Sequence, residues 1–285
     1  MTDRSSTPDP AAGTPVASEA VHWDPDISYT SYLQLDRLLD CQKPRSAEHD
    51  EMLFIVIHQA SELWIKLCVF EIEAAMQRIA AGDIGPALKM LARVARIQDQ
   101  LTQSWSVLST LTPADYSRFR RALGQSSGFQ SWQYRQLEFR LGNKQEAMVR
   151  AHLGNPPAHA LLSRVLREPG LYDVVLRQLR RRGFTIADAV LERDWALPYQ
   201  SDESVERCWA EVYAATDRHW ELYDLAEKLV DLDHQFQRWR FEHMKTVERI
   251  IGYKRGTGGT SGVAYLVRAM ERRLFPELWN VRTHL

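Results

Sequence analysis

The placement of proline is the feature that most restricts the folds open to this sequence. The ranges 45–85, 114–155 and 200–275 contain no proline at all. Proline breaks the interior of a helix, so long proline-free ranges are able to form long helices. No Asn-Gly or Asp-Gly turn separates alternating β-branched runs, which is the usual signal of a β-hairpin. The sequence therefore predicts an all-α fold.

Capping residues and apolar periodicity predict where the helices lie. Segment 53–70 is apolar around its whole circumference, so we expect a fold built around long buried helices. The predicted helices run from Ser46 to about Ala81, from Pro86 to before Thr112, from Pro113 to about Leu123 and, as one or two helices, over 201–252. Shorter ones are predicted to begin near Gln145, Pro156, Gly170 and Thr185, and a last one follows the glycine-rich segment 255–262.

The first residues differ in composition from the rest of the chain. Residues 1–22 are rich in Ser, Thr, Pro and Ala and bury too little apolar surface to become ordered, which predicts a disordered N-terminal tail. Neither an internal repeat nor a linker interrupts the remainder. We therefore predict a single helical domain over 23–285.

Charge and cysteine usage exclude several classes of protein. Lys and Arg total 36 against 37 Asp and Glu, so the chain lacks the basic excess of a nucleic-acid binder. Its three cysteines are far apart and form no CxxC pattern, which favours a reducing cytoplasm over a disulfide framework. The sequence contains no apolar signal core and no run of about 18 apolar residues. We expect a cytoplasmic protein that binds neither nucleic acid nor membrane.

Two of the nine histidines, His58 and His243, lie in strongly apolar or aromatic parts of long helices. A single histidine on a helix is more often a hydrogen-bonded core residue than a ligand. His243, however, lies one turn from both Trp239 and Val247, so it could offer a nitrogen to a haem iron. The HExxH, paired Glu-x-x-His and GxSxG patterns are absent, which leaves other metal or hydrolytic chemistry without support.

Two helical pairs could recognise an aromatic amino acid. Phe54 with His58, and Tyr116 with Arg120, are four residues apart and therefore share a helix face. The first pair offers an aromatic wall with a hydrogen-bonding tip, and the second offers a guanidinium suited to a carboxylate. A surface pair on a short helix is the alternative for Tyr116 and Arg120. The glycine-rich segment 255–262 lacks the Gly-Lys-Ser/Thr ending of a phosphate loop, so a mobile lid is favoured over a nucleotide site.

Several motifs together resemble one enzyme family. Segment 50–64 reads DEMLFIVIHQASELW and resembles the signature helix of the tryptophan 2,3-dioxygenases. Further segments resemble the same family in the same order: 29–33, 109–116, 125–131, 239–252, 256–262 and 275–279. The family resemblance implies an all-helical enzyme that uses haem b, with its iron, and O2 as co-substrate.

The resemblance also implies roles for individual residues. His243 resembles the axial ligand of the haem iron, and His58 resembles the catalytic histidine on the opposite, oxygen-binding side. The remaining implied contacts are Phe54, Tyr116, Arg120 and Thr257 with the substrate, Ser127 and Trp105 with the haem, and Tyr29, Tyr32 and Leu33 with the substrate of a neighbouring subunit. The family's assembly is a homotetramer, a dimer of dimers, and we expect the same here.

The reaction implied by the resemblance opens the indole ring of L-tryptophan. O2 cleaves the C2–C3 bond to give N-formyl-L-kynurenine, the first step of tryptophan catabolism by the kynurenine pathway. Two alternatives remain open from the sequence. One is a helical scaffold without catalysis, in which His58 and His243 are core residues; such a protein would be colourless. The other is a related haem enzyme that acts on a modified indole.

Overall fold

A computed structural model describes residues 27–259 and 261–285. Within these residues every regular element is a helix and no strand occurs, which confirms the predicted all-α fold. The chain divides into two compact units, one up to Lys43 and the other from Pro44 to the end. The predicted tail, 1–22, lies outside the described residues, so its boundary with a domain over 23–285 stays a prediction.

The described part of the first unit consists of two short helices, α1 (Tyr29–Leu33) and α2 (Leu35–Leu39). Ser28 caps α1 by accepting a hydrogen bond from the backbone N–H of Ser31, whose hydroxyl donates back to the Ser28 carbonyl. Gln34 has a left-handed backbone, φ +53°, and separates the two helices.

The described part of the second unit contains twelve α-helices. They are α3 (Asp50–Ala80), α4 (Ile84–Leu108), α5 (Pro113–Phe119), α6 (Trp132–Arg140), α7 (Glu146–Arg150), α8 (Pro156–Arg167), α9 (Leu171–Arg181), α10 (Asp188–Leu191), α11 (Glu203–Ala214), α12 (Trp220–Ile251), α13 (Val263–Met270) and α14 (Pro276–Asn280). Short 3₁₀ helices cover Arg120–Leu123, Gly128–Gln130 and Val281–Thr283. The predicted long segment 201–252 is therefore two helices, and α6 was not predicted.

Local capping signals located some helix starts and missed others. Thr112 caps α5 as predicted, accepting a hydrogen bond from the backbone N–H of Asp115, with Pro113 as the first helical residue. The predicted start of α3 at Ser46 is wrong, because the Ser46 hydroxyl and backbone N–H both donate to the carboxylate of Glu51. The helix consequently begins at Asp50. Helix α4 begins at Ile84, two residues before the predicted Pro86.

The core of the second unit forms where the long helices meet. Helix α4 packs against both α3 and α12, while α6 and α9 pack against α3. The core includes the fully buried side chains Ile72, Ile79, Val94, Trp209, Leu225 and Leu229. Each such aliphatic side chain stabilises the fold by roughly 1.5–3 kcal/mol relative to exposure. This packing fixes the relative positions of α3, α4 and α12, which carry the candidate site.

Helix α3 is not surrounded within a single chain, contrary to the prediction made for segment 53–70. Only 17% of its most apolar stretch is buried. Met52, Val56, Leu63 and Phe70 are all more than 40% exposed, and their spacing of four, seven and seven residues places them along one face. Length and composition alone would allow α3 to cross a membrane, a test that the core helix of a soluble protein also passes. The expectation from the sequence that no run of about 18 residues is apolar enough to span a membrane is therefore wrong for α3.

Buried carboxylates attach the C-terminal helix α14 to the core. Glu277 accepts hydrogen bonds from the hydroxyls of Tyr172, at 3.0 Å, and Tyr199, at 2.6 Å. Asp233 on α12 accepts a hydrogen bond from Trp279 Nε1 at 2.8 Å. Buried acceptors that are fully hydrogen-bonded hold their partners in one arrangement. The chain end is thereby fixed to α12.

Candidate active site

A cavity of about 260 Å³ opens between α3, α4, α5, α6, α12 and α13 of the second unit. Loop residues 126–128, 256–257 and 262 complete its wall. The cavity is mostly apolar, as is typical of sites for small organic ligands. Of the site residues proposed from the sequence, those that line it are Phe54, His58, Trp105, Tyr116, Ser127, His243 and Thr257.

Phe54 and His58 form one wall, because four residues of helix α3 place them one turn apart. Their ring centroids are 4.1 Å apart, and His58 Nδ1 lies 2.7 Å from the Phe54 carbonyl oxygen. A carbonyl only accepts, so Nδ1 carries the proton and donates, which leaves Nε2 as an acceptor in the neutral ring. Burial lowers the pKa of His58, although the Phe54 carbonyl and Glu62 oppose this lowering. His58 is therefore a neutral hydrogen-bond acceptor at pH 7.

His243 lies on α12 beside two tryptophan rings that also contact each other, with centroids 5.8 Å apart. The Trp105 ring stacks on the imidazole at 4.6 Å with an interplanar angle of 8°, and Trp239 is tilted against it at 5.4 Å. Burial, together with the nearby His58, lowers the pKa of His243 to about 4. The imidazole is thus neutral at pH 7, the form that coordinates a metal.

Tyr116 on α5 continues the aromatic wall begun by Phe54. Its ring lies 6.1 Å from that of Phe54 and 5.4 Å, edge-on, from the buried Phe119. Burial raises the pKa of the Tyr116 phenol, so the hydroxyl keeps its proton. The wall consists of aromatic rings tilted by 35° to 38° against one another, and it ends in a neutral hydroxyl.

The glycine-rich loop is attached to the opposite rim by two side chains. Arg120 Nη2 donates to the carbonyl oxygen of Arg255 at 2.7 Å, and the Thr257 hydroxyl donates to that of Ser126 at 2.6 Å. Gly258 packs so tightly that an added Cβ would lie 2.7 Å from Ser127 Cβ. The loop therefore covers the cavity beside the donors that the sequence assigned to the substrate's polar end.

The remaining predicted residues lie elsewhere. Arg120 borders the loop and is not among the residues that line the cavity. Tyr29, Tyr32 and Leu33 belong to α1 in the first unit, and all three side chains are exposed. Their proposed contact with a neighbouring subunit stays a prediction.

Sequence reasoning missed the charged part of the cavity wall. Arg135 and Glu138 on α6 and Arg240 on α12 line the cavity, and each side chain is at most 6% exposed. Arg240 had a signal in the sequence, because it lies one turn before His243 on the same helix. Arg135 and Glu138 had no signal in the sequence, because the neighbouring residues of a polar helix do not indicate which of its charged side chains are buried.

A metal ion at this site would have fewer than three ligands among the described His, Cys, Asp and Glu side chains. Among residues 27–259 and 261–285, no group of three or more His, Cys, Asp or Glu side chains could hold a metal. One histidine in an aromatic cavity instead suits a metal that arrives inside a large organic cofactor.

Comparison with known proteins gives the family. A model of the tryptophan 2,3-dioxygenase family matches residues 17–212 and 210–285. A tryptophan 2,3-dioxygenase of Bacillus thuringiensis (strain Al Hakam) is 53% identical over 272 residues, covering 95% of this chain and 98% of the relative. Another, of Burkholderia pseudomallei (strain 1106a), is 55% identical over 259 residues, covering 91% of this chain and 85% of the relative. These matches confirm the resemblance drawn from the motifs, and the chain belongs to the tryptophan 2,3-dioxygenase family.

Proposed function

We propose that this protein uses haem b and O2 to cleave the indole C2–C3 bond of L-tryptophan, giving N-formyl-L-kynurenine and opening the kynurenine pathway. One observation carries the proposal. One apolar cavity presents an aromatic wall with the acceptor His58 and, on another helix, a neutral His243 stacked on Trp105. An amino acid with an indole ring fits the first feature, and a haem iron fits the second.

The residues around His243 fit a haem. Its imidazole is neutral, and the flat Trp105 and Trp239 rings beside it suit a planar macrocycle. Trp105 Nε1 is buried in the cavity wall without a hydrogen-bond partner, a donor that a bound group can satisfy. His243 would bind the iron, with Trp105 and Ser127 beside the ring. When bound, haem supplies the ferrous centre that lets triplet O2 react with a singlet indole.

The protein's own contribution is to position the substrate. Arg120, Tyr116 and Thr257 would hold the amino acid's carboxylate and ammonium groups, while Phe54 packs against the indole. Arg120 and Thr257 now donate to the carbonyl oxygens of Arg255 and Ser126, so substrate binding exchanges these contacts for charged ones. A guanidinium prefers a carboxylate to a neutral carbonyl, which favours the exchange.

His58 would orient the indole through its N–H. The Phe54 carbonyl fixes the proton on Nδ1, so Nε2 is able to accept the indole N–H. The indole N–H is a very weak acid and the pKa of His58 is lowered, so a hydrogen bond is favoured over proton removal. His58 thereby sets the angle at which the C2–C3 bond faces the oxygen-binding side.

Self-association as a homotetramer, a dimer of dimers, would cover the exposed face of α3. Its apolar residues, including Leu63 and Phe70, form a stripe of the kind that marks protein interfaces. The exposed Tyr29, Tyr32 and Leu33 would then close the cavity of a neighbouring subunit. Burial of the α3 stripe between copies also favours a protein that does not enter membranes, and the buried free thiols of Cys68 and Cys208 suit the reducing cytoplasm.

The test is turnover by the purified, haem-loaded protein. We expect a strong Soret absorption, and L-tryptophan with O2 should give the absorbance of N-formyl-kynurenine. A haem spectrum with no response to L-tryptophan would move the substrate to a modified indole. Failure to take up haem would restore the scaffold interpretation.

A further inference from the structure

Three buried charged side chains form a cluster in the cavity wall, apart from the residues assigned above. Arg135 Nη1 donates to Glu138 Oε2 at 2.6 Å, and Arg240 Nη2 lies 3.5 Å from Glu138 Oε1. Arg135 and Glu138 belong to α6, and Arg240 comes from α12, 102 residues beyond Glu138. We call these three residues the arginine cluster.

The hydrogen-bond donors of the arginine cluster exceed the acceptors around it. Each guanidinium has five N–H donors. Apart from Glu138, Arg135 donates to the Phe129 carbonyl at 3.3 Å, and Arg240 donates to the Arg272 carbonyl at 3.2 Å and to the Tyr134 hydroxyl. The Nε atoms of both arginines are buried and have no partner among the described residues. Buried donors without acceptors are costly, so the cluster lacks an acceptor that a ligand could provide.

Ion pairing is also incomplete, because two guanidiniums share the one carboxylate of Glu138. Burial lowers the pKa of Arg135, but Glu138 and two nearby tyrosines together outweigh this effect, so the pKa is raised. Two other carboxylates are near. Glu62 also lines the cavity but accepts a hydrogen bond from Gln133 at 2.8 Å, and Asp233 accepts from Trp279 Nε1. Neither forms an ion pair with Arg135 or Arg240 within 4 Å among the described residues, although Asp233 is near enough to raise the pKa of Arg240. Two buried guanidiniums that share one ion-paired carboxylate are only partly neutralised, so an anion would stabilise this wall.

Aromatic rings hold the two guanidiniums in place. Arg135 lies over the Phe129 ring at 4.7 Å, and Arg240 lies over the Phe236 ring at 4.6 Å. Asn143 donates to Glu138 Oε1 at 2.8 Å and fixes the carboxylate between them. The donors are therefore arranged before any ligand arrives, which lowers the entropic cost of binding.

We propose that Arg135 and Arg240, which Glu138 bridges, bind a propionate carboxylate of haem. This inference rests on the proposed function, because it takes haem as the occupant. The substrate carboxylate is the competing ligand, but Arg120 and Thr257 already offer it donors at the loop.

The experiment compares haem with its dimethyl ester, in which both propionates lack charge. The purified protein is loaded with either compound, and the dissociation rate is measured by transfer to an excess of a haem-scavenging protein. We expect the dissociation rate of the ester from the wild type to exceed that of haem by at least about tenfold, because the ester lacks the charge-assisted contact. In Arg135→Leu and Arg240→Leu, haem should leave faster and the difference between the two compounds should shrink. Arg135→Lys keeps a positive charge and should therefore retain part of the difference in dissociation rate between haem and its ester.

Arg140→Leu is the matched control. Arg140 is on the same helix, is 8% exposed and pairs with Glu73 and Glu168, but it does not line the cavity. This variant should retain the full difference between haem and ester. Glu138 keeps one arginine in either leucine variant, so neither leaves that carboxylate alone.

Each other outcome has a definite meaning. An unchanged ratio of ester to haem dissociation in both leucine variants would overturn the inference while leaving the proposed function intact. Loss of L-tryptophan affinity without any change in haem dissociation would assign the cluster to the substrate and also overturn it. A wild type that takes up neither compound would refute the proposed function and, with it, this inference.

Discussion

Gly258→Ala should weaken L-tryptophan binding by pushing the glycine-rich loop away from the cavity. The new Cβ would lie 2.7 Å from Ser127 Cβ and 2.9 Å from Ser127 Oγ. Ser127 Cβ is bonded directly to the backbone, so it cannot swing aside as the end of a long side chain could. The loop itself must retreat.

The size of the effect follows from these distances. The added Cβ must move from 2.7 Å to about 3.4 Å from Ser127 Cβ to reach an ordinary van der Waals distance. This requires a shift of about 0.7 Å (3.4 − 2.7). A shift of that size would also move the neighbouring Thr257 hydroxyl out of good hydrogen-bond distance from the substrate's polar end. Overpacking costs about 1–3 kcal/mol and the lost hydrogen bond to the substrate about 1 kcal/mol, so the closed, substrate-bound loop should lose about 2–4 kcal/mol. L-Tryptophan affinity should fall by about 30- to 1,000-fold.

The assay is anaerobic titration of the reduced haem protein with L-tryptophan, followed at the Soret band. Thermal unfolding should change little, because Gly258 is exposed. The double variant Gly258→Ala, Ser127→Gly removes both clashing atoms and should recover most of the affinity, since glycine is accepted at the N-cap position that Ser127 occupies. Unchanged affinity in the single variant, or no recovery in the double variant, would refute the reasoning.

Four further predictions test other parts of the account. His243→Ala should lose the Soret band on gel filtration, because the iron loses its protein ligand; retention of haem would contradict the assignment. His58→Ala should keep haem but lower kcat/KM by about 10- to 100-fold, the value of one hydrogen bond to a buried partner, and loss of haem instead would reverse the two histidine roles. Arg120→Leu should reduce L-tryptophan affinity by about 100-fold while leaving tryptamine binding unchanged, and equal loss for both ligands would remove Arg120 from the carboxylate. Phe70→Asp should yield smaller species by light scattering, whereas an intact tetramer would place the interface elsewhere.

The parts of the fold that could be predicted are those set by local chemistry. The start of α5 followed from Thr112 and Pro113, since a cap and a first-turn proline need no distant partner. The start of α3 was misplaced because Glu51, rather than the helix backbone, takes the Ser46 hydroxyl. Helix α6 went unrecognised because it buries Arg135, Glu138 and other polar residues whose partners lie on distant helices.

The same distinction applies to the candidate site. The pair Phe54 and His58 could be proposed from spacing, because one helical turn brings both side chains to a shared face of α3. Glu138 could not, since its role depends on an ion pair with Arg240 on another helix. The contact between Arg120 and the Arg255 carbonyl also joins segments 135 residues apart, and no periodicity foretells it.

The fate of labelled oxygen tests the central claim most directly. The reduced, haem-loaded protein is mixed with L-tryptophan in buffer equilibrated with ¹⁸O₂, and the product is analysed by mass spectrometry. We expect N-formyl-kynurenine that carries two ¹⁸O atoms from one O2 molecule. A product with a single labelled oxygen, or no cleavage of the indole ring, would contradict it.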